Sequence, residues 1–223
     1  MKSPELFWNV VAAYNEATWG VQVVLMALGV LLTGATLTWP TRATHAALKG
    51  FLAVAFAWLA MAFFFLRDAS PIGRYFAGPL FMACAALFAW DIRAGRIHFV
   101  LPAERWRRIG TWVLLASTLL YPLVSFLLGH RYPRLTTPVM PCPLTVWALA
   151  LLTAAFPQVD KRLYTLLLVW AALGLPKMFG LFDVREDTIL FAAGVYGTLV
   201  WMSASKRQNQ EVKGSPQKSA PKL

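Results

Sequence analysis

Charge is what this chain has least of. Only 14% of its 223 residues are Asp, Glu, Lys or Arg, against about 25% in a typical soluble domain. A surface so poor in ions cannot face water on all sides, which argues against a soluble globular protein. Cysteine is scarce as well. The two present, Cys84 and Cys142, lie in or beside apolar runs, so no disulfide framework is expected. Missing too are HExxH, GxSxG, a Walker loop, a dinucleotide fingerprint and any CxxC pair, which removes the residues of the common soluble-enzyme and zinc-finger mechanisms. No internal repeat is visible.

What is present is apolar: 58% hydrophobic residues, ten Trp and a mean hydropathy of +0.56. A helix needs roughly 20 apolar residues to cross about 30 Å of hydrocarbon. Seven stretches approach that length, at 18–38, 48–66, 74–91, 109–129, 138–156, 164–182 and 188–204. The expected fold is an all-α membrane protein, a bundle of about seven transmembrane helices. Residues 1–17 contain two Glu and no basic leader region, so the first span is expected to be retained. Residues 1–17 read either as a short interfacial helix anchored by Trp8 and Trp19 or as an outward extension of the first span. Residues 205–223, rich in Lys, Ser, Gln and Pro, read as a disordered basic tail.

Net charge is +11, and its distribution points to a membrane rather than to nucleic acid. One set of alternate connections, with the N-terminus, carries Lys2, Arg67, Arg74, Arg131, Arg134 and Arg185; the other set and the tail carry more than twice as many. The positive-inside rule then puts the N-terminus outside and the C-terminus in the cytoplasm. The densest basic stretch, 91–108, supplies Arg93, Arg96, Arg105, Arg107 and Arg108, which are expected to meet anionic lipid headgroups.

Chemistry concentrates at the outer side. In TTPVMPCPLTVWALALL (136–152), Pro141 and Pro143 fit one helix only if it starts at about Pro141, where missing N–H groups do no harm. A helix from Pro141 to Phe156 is about 24 Å long and its start is recessed. Residues 136–140 then enter the membrane without helical bonds, which is tolerated only in a protein-lined or wet site. Cys142 falls in the first turn, where the helix dipole favours a thiolate or an anion. It equally suits a packing role. With His130 and Met140 it makes a donor set for a soft metal ion such as Cu(I), without matching a known metal spacing.

Lys177, after Pro176, is an ionisable residue inside the sixth span, either functional or snorkelling outward. A retinal-type reading fails, because the seventh span has no Schiff-base lysine and Lys177 would be in the wrong helix. Glu16 and Gln22 lie near the outer end of the first span, where they could join Lys177 or Arg131 in a buried polar cluster, the alternative being that Glu16 is simply solvated.

Three stretches together, AAYNEATWGVQ (12–22), YPLVSFLLGHRYPR (121–134) and TPVMPCPLTVWALALL (137–152), resemble an uncharacterised family of bacterial multi-pass membrane proteins. The resemblance implies a place in the bacterial inner membrane and marks Tyr14, Asn15, Glu16, His130, Arg131, Tyr132, Pro133, Pro141, Cys142 and Pro143 as the family pattern. It brings no activity. Three functions remain: a small-solute or ion transporter with an outer-half site of Glu16, Gln22, His130, Arg131, Cys142 and Lys177; a non-catalytic accessory subunit bound to a protein partner; and, least favoured, an intramembrane enzyme with Cys142 as nucleophile and His130 as base. No cofactor beyond the soft metal is expected.

Overall fold

The computed structural model describes residues 4–68, 70–176 and 184–214, and the described residues contain helices and no strand. Helix α1 runs unbroken from Pro4–Thr38, so residues 4–17 extend the first span rather than forming a separate interfacial helix. Its buried positions, Trp8, Val11, Tyr14, Asn15, Thr18, Gln22, Leu25, Gly29, Thr33 and Thr36, fall along one stripe at helical spacing. Trp19, Val24 and Leu31 lie on the exposed remainder. Gly29 is required on that stripe: a Cβ there would fall 2.5 Å from the Trp147 ring. Helix α1 stops ahead of Trp39–Pro40, because the residue before a proline is driven out of helical conformation.

Helix α2 (Arg42–Leu59) opens on a capping box between Thr41 and Thr44 and continues as a π-helical turn, Ala60–Phe65. A second π-helical turn, Gly73–Ala77, leads into α3 (Gly78–Ala94). Helix α3 ends on Gly95 at φ 63°, a left-handed position suited to glycine. Then come α4 (Arg105–Leu127), α5 (Pro141–Ala155), α6 (Lys161–Ala172) capped by Asp160, the short α7 (Gly174–Pro176) and α8 (Asp187–Gly214).

Five of these segments are long and apolar enough to cross a membrane: Glu5–Thr38, Arg42–Phe65, Gly73–Ala94, Arg105–Leu127 and Asp187–Ser205. The expected fifth and sixth spans differ. Helix α5 has 15 residues, about 22 Å, and every one of them except half-buried Cys142 is buried. It is apolar all round because protein, not lipid, surrounds it; α4, α8, α6 and α2 pack on it. Helix α6 is shorter still, and residues 177–183 of the expected sixth span lie outside the described residues. Helix α8 runs past the expected boundary at 204, and 215–223 also lie outside them.

The end of the bundle holding the 91–108 stretch uses several of its charges internally. Lys49 Nζ sits 2.7 Å from Asp91 Oδ2, both side chains almost wholly buried, while Asp91 also accepts the N–H groups of Arg96 and Ile97. Arg107, expected to face lipid headgroups, is turned inward instead. It donates to the Thr153 and Phe156 carbonyls at 2.7 Å, neutralising the C-terminus of α5, and pairs with Glu104. Arg93, Arg96, Arg105 and Arg108 are exposed.

Removing one partner of a buried ion pair leaves an uncompensated charge, so Lys49→Met should destabilise the protein by about 3–5 kcal/mol. Thermal unfolding in detergent checks this, with Lys49→Met/Asp91→Asn recovering part of the loss.

Candidate functional site in the recessed end of the bundle

At the opposite end, the polar side chains of α1 hold a non-helical strand of backbone inside the protein. Asn15, 1% exposed, donates through Nδ2 to the carbonyls of Pro133 and Leu135, both at 2.7 Å. Its Oδ1 accepts from Gln22 Nε2, which also bonds Thr18. Gln22 Oε1 accepts from the Thr137 hydroxyl. Tyr14, fully buried, donates to the Val139 carbonyl at 2.9 Å and accepts from Trp58 Nε1. Arg67, from the turn after α2, reaches back to the Ala13 carbonyl and over the Tyr14 ring. Thus 133–139, which has no helical bonds of its own, finds partners on α1.

That clamp fixes where α5 begins. Met140 is extended and Pro141 takes the first helical position, as the two prolines require. Cys142 follows, and its thiol donates to Asp187 Oδ2 at 3.5 Å. Asp187 is the first residue of α8, so two helix N-termini meet here. Next to it Glu186 is buried completely. Its Oε1 accepts from Ser125 Oγ at 2.7 Å and lies 3.6 Å from His130 Nε2; Oε2 is buried with no hydrogen-bonding partner among the described residues. Ser125 in turn accepts the Thr136 N–H. The imidazole stacks on Trp8, ring centroids 3.8 Å apart. Tyr121, fully buried on α4, lies within electrostatic range of Glu186, Asp187 and Cys142.

The expected site residues divide accordingly. Gln22, His130 and Cys142 are at the site, with Pro141 and Pro143 buried behind it. Glu16 is exposed on the outer side of α1, away from Asn15. Arg131 is exposed, its guanidinium 3.9 Å above the Phe126 ring and donating to the Phe126 and His130 carbonyls. Lys177 lies outside the described residues, and Pro176 ends α7. Trp8 is an inward stacking partner of His130, not an interfacial anchor. Met140 is buried with its sulfur accepting the Thr137 N–H. No group of three His, Cys, Asp or Glu placed to hold one metal ion occurs among the described residues. His130 faces Glu186 and Cys142 faces Asp187, which separates the thiol and imidazole of the enzyme reading into two pairs.

Sequence reasoning missed Ser125, Glu186 and Asp187. The signal was there: REDT (185–188), two adjacent acids directly ahead of the last apolar run, the position an acid takes in the first turn of a helix.

Asn15→Ala removes the donors to two carbonyls and should cost about 1–3 kcal/mol, with faster proteolysis within 129–140. Glu16→Gln, one residue away on the exposed side, should stay within about 0.5 kcal/mol of the wild type. Thermal unfolding and limited proteolysis of the two purified variants in detergent check both expectations.

No curated protein and no solved structure matches the chain. The model of a family of unknown function, DUF6064, matches residues 4–212, and the chain, with its clamped 133–139 segment and buried acid pair, belongs to that family.

Proposed function

We propose that the protein is a transporter or channel-like protein of the bacterial cytoplasmic membrane that binds a small solute or ion in the outer half of its bundle. Seven crossing segments, N-terminus outside and C-terminus cytoplasmic, are the topology of this reading. Five long apolar helices and the excess of cations on the 91–108 side support it. Arg93, Arg96, Arg105 and Arg108 are exposed where anionic headgroups would meet them.

The observation that carries the reading is Glu186. A wholly buried carboxyl with one oxygen unpartnered among the described residues is costly to keep in a membrane bundle, and such groups mark ion and substrate paths. Two helices begin beside it and non-helical backbone enters beside it, the arrangement of discontinuous helices in carriers. Glu186 and Asp187 give the site negative character, which selects a cation or a protonated group over an anion.

Cells lacking the native copy, complemented with wild type, Glu186→Gln or Cys142→Ser at matched protein level, test this by growth and accumulation over a panel of inorganic cations and amines. Loss of the wild-type phenotype in Glu186→Gln is expected; wild-type behaviour from both variants would sink the reading. For the topology, an impermeant maleimide should label Cys142 from the periplasmic side in a Cys84→Ala background. Labelling only in inverted vesicles would reverse the orientation.

A further inference from the structure

We infer that Glu186 is a proton-carrying site that exchanges its proton with the outer face through His130. The inference rests on the transport reading for its purpose, coupling, and is measured independently of it.

The two oxygens of Glu186 are in unequal surroundings. Oε1 has the Ser125 hydroxyl at 2.7 Å and the imidazole at 3.6 Å, while Oε2 is sealed from solvent with no partner among the described residues. A permanently ionised carboxylate would leave that second oxygen bare in a low-dielectric interior. A carboxyl that alternates between charged and neutral forms is charged only for part of its cycle. The route to water is short, because the His130 side chain is 24% exposed and that of Glu186 is 0% exposed. One ring therefore touches both the outer surface and the buried acid. Stacking on Trp8 at 28° between planes holds that ring in place, and imidazole is the side chain that gains and loses protons near neutral pH.

The transfer balances without redox chemistry. The Nε2–H bond of the His130 imidazolium breaks, its electron pair stays on nitrogen, and an O–H bond forms at Glu186 Oε1. Imidazolium and carboxylate become imidazole and carboxylic acid. A hydronium ion at the outer face then protonates the neutral His130 imidazole and leaves as water, and release runs the same steps backward. The serine hydroxyl rotates to suit either form of the acid.

Three further groups face this space, of which Tyr121 keeps a buried hydroxyl without a side-chain partner among the described residues. Tyr121 faces it from α4, Cys142 from α5 and Asp187 from α8, with Cys142 and Asp187 bonded to each other. Arg131, the cation following His130, is stacked on Phe126, and Arg185 is exposed. Among the described residues, His130 is thus the group that joins Glu186 to the surface.

The experiment is pH-difference infrared spectroscopy of the full chain in lipid nanodiscs. Of the protonated-carboxyl C=O bands that appear on acidification, one component should be missing from Glu186→Gln. Glu186→Asp, which keeps a carboxyl, should restore a shifted band and guards against misfolding of the first variant. In His130→Phe, which preserves an aromatic ring on Trp8, the band should persist while its rise after a pH jump slows about 100-fold. An undiminished band in Glu186→Gln overturns the site, and an unchanged rate in His130→Phe overturns the relay. A titrating band in a protein without an uptake phenotype would sink transport and leave the proton site standing; uptake without the band would do the reverse.

Discussion

Peptide groups that leave a helix inside a membrane protein must find partners within the protein, because hydrocarbon offers none. Here that requirement falls on residues 133–140, and it is met largely by two side chains of one helix. Asn15 supplies both of its N–H groups to carbonyls that an extended chain would otherwise leave bare, and Tyr14 supplies its hydroxyl to a third. Everything that follows in the chain inherits this anchoring. Pro141 can start α5 below the surface only because the preceding backbone is held there, and Cys142, Glu186 and Asp187 meet because α5 starts where it does.

The two ends of the bundle solve the problem of buried charge differently. At the end with the basic stretch, Lys49 and Asp91 face each other, the acid also accepts two backbone N–H groups, and Arg107 fills the empty carbonyls at the end of α5. Lys49 and Asp91 are matched donor to acceptor, Arg107 leaves only its Nε without a partner among the described residues, and the role of all three is to fix helix ends. At the recessed end Glu186 has a neighbour that reaches solvent and a second oxygen with no partner among the described residues. The route to solvent through His130 is what sets Glu186 apart from these buried ions.

Membrane class and the position of most helices were legible because they depend on local composition: apolar length, Pro at helix starts and the Pro after Trp39 act over a few residues. The start of α5 at Pro141 followed from two prolines alone. What was hidden depends on pairing across the fold. Lys49 and Arg107 read as loop cations, since nothing within several residues of either announces Asp91 or the α5 carbonyls. Glu186 and Asp187 read as an unremarked loop because their partners, Ser125 and Cys142, are 61 and 45 residues away. Trp8 has an aromatic's preference for the interface and was read so; burial against His130 overrode it. Gln22 and Asn15 were separable from Glu16 only by helical phase, which puts Asn15 and Gln22 on one stripe and turns Glu16 away.

The same phase explains how one helix can both contact lipid and build a site. Along the buried stripe of α1 the residues change from polar at Asn15, Thr18 and Gln22 to apolar Leu25 and Gly29, where the helix meets Trp147 of α5, and return to polar at Thr33, which accepts the Trp147 Nε1–H, and Thr36. The first polar group faces backbone without helical bonds, and the rest of the stripe faces a helix whose backbone is already satisfied. Composition along the stripe thus follows what α5 needs at each depth: hydrogen bonds to backbone before its first turn, close packing and a single side-chain bond after it. The junction of those two regimes has helix below it and hydrogen-bonded, non-helical backbone above it. Local opening of the fold is therefore cheapest above Pro141, on the side where His130 meets solvent.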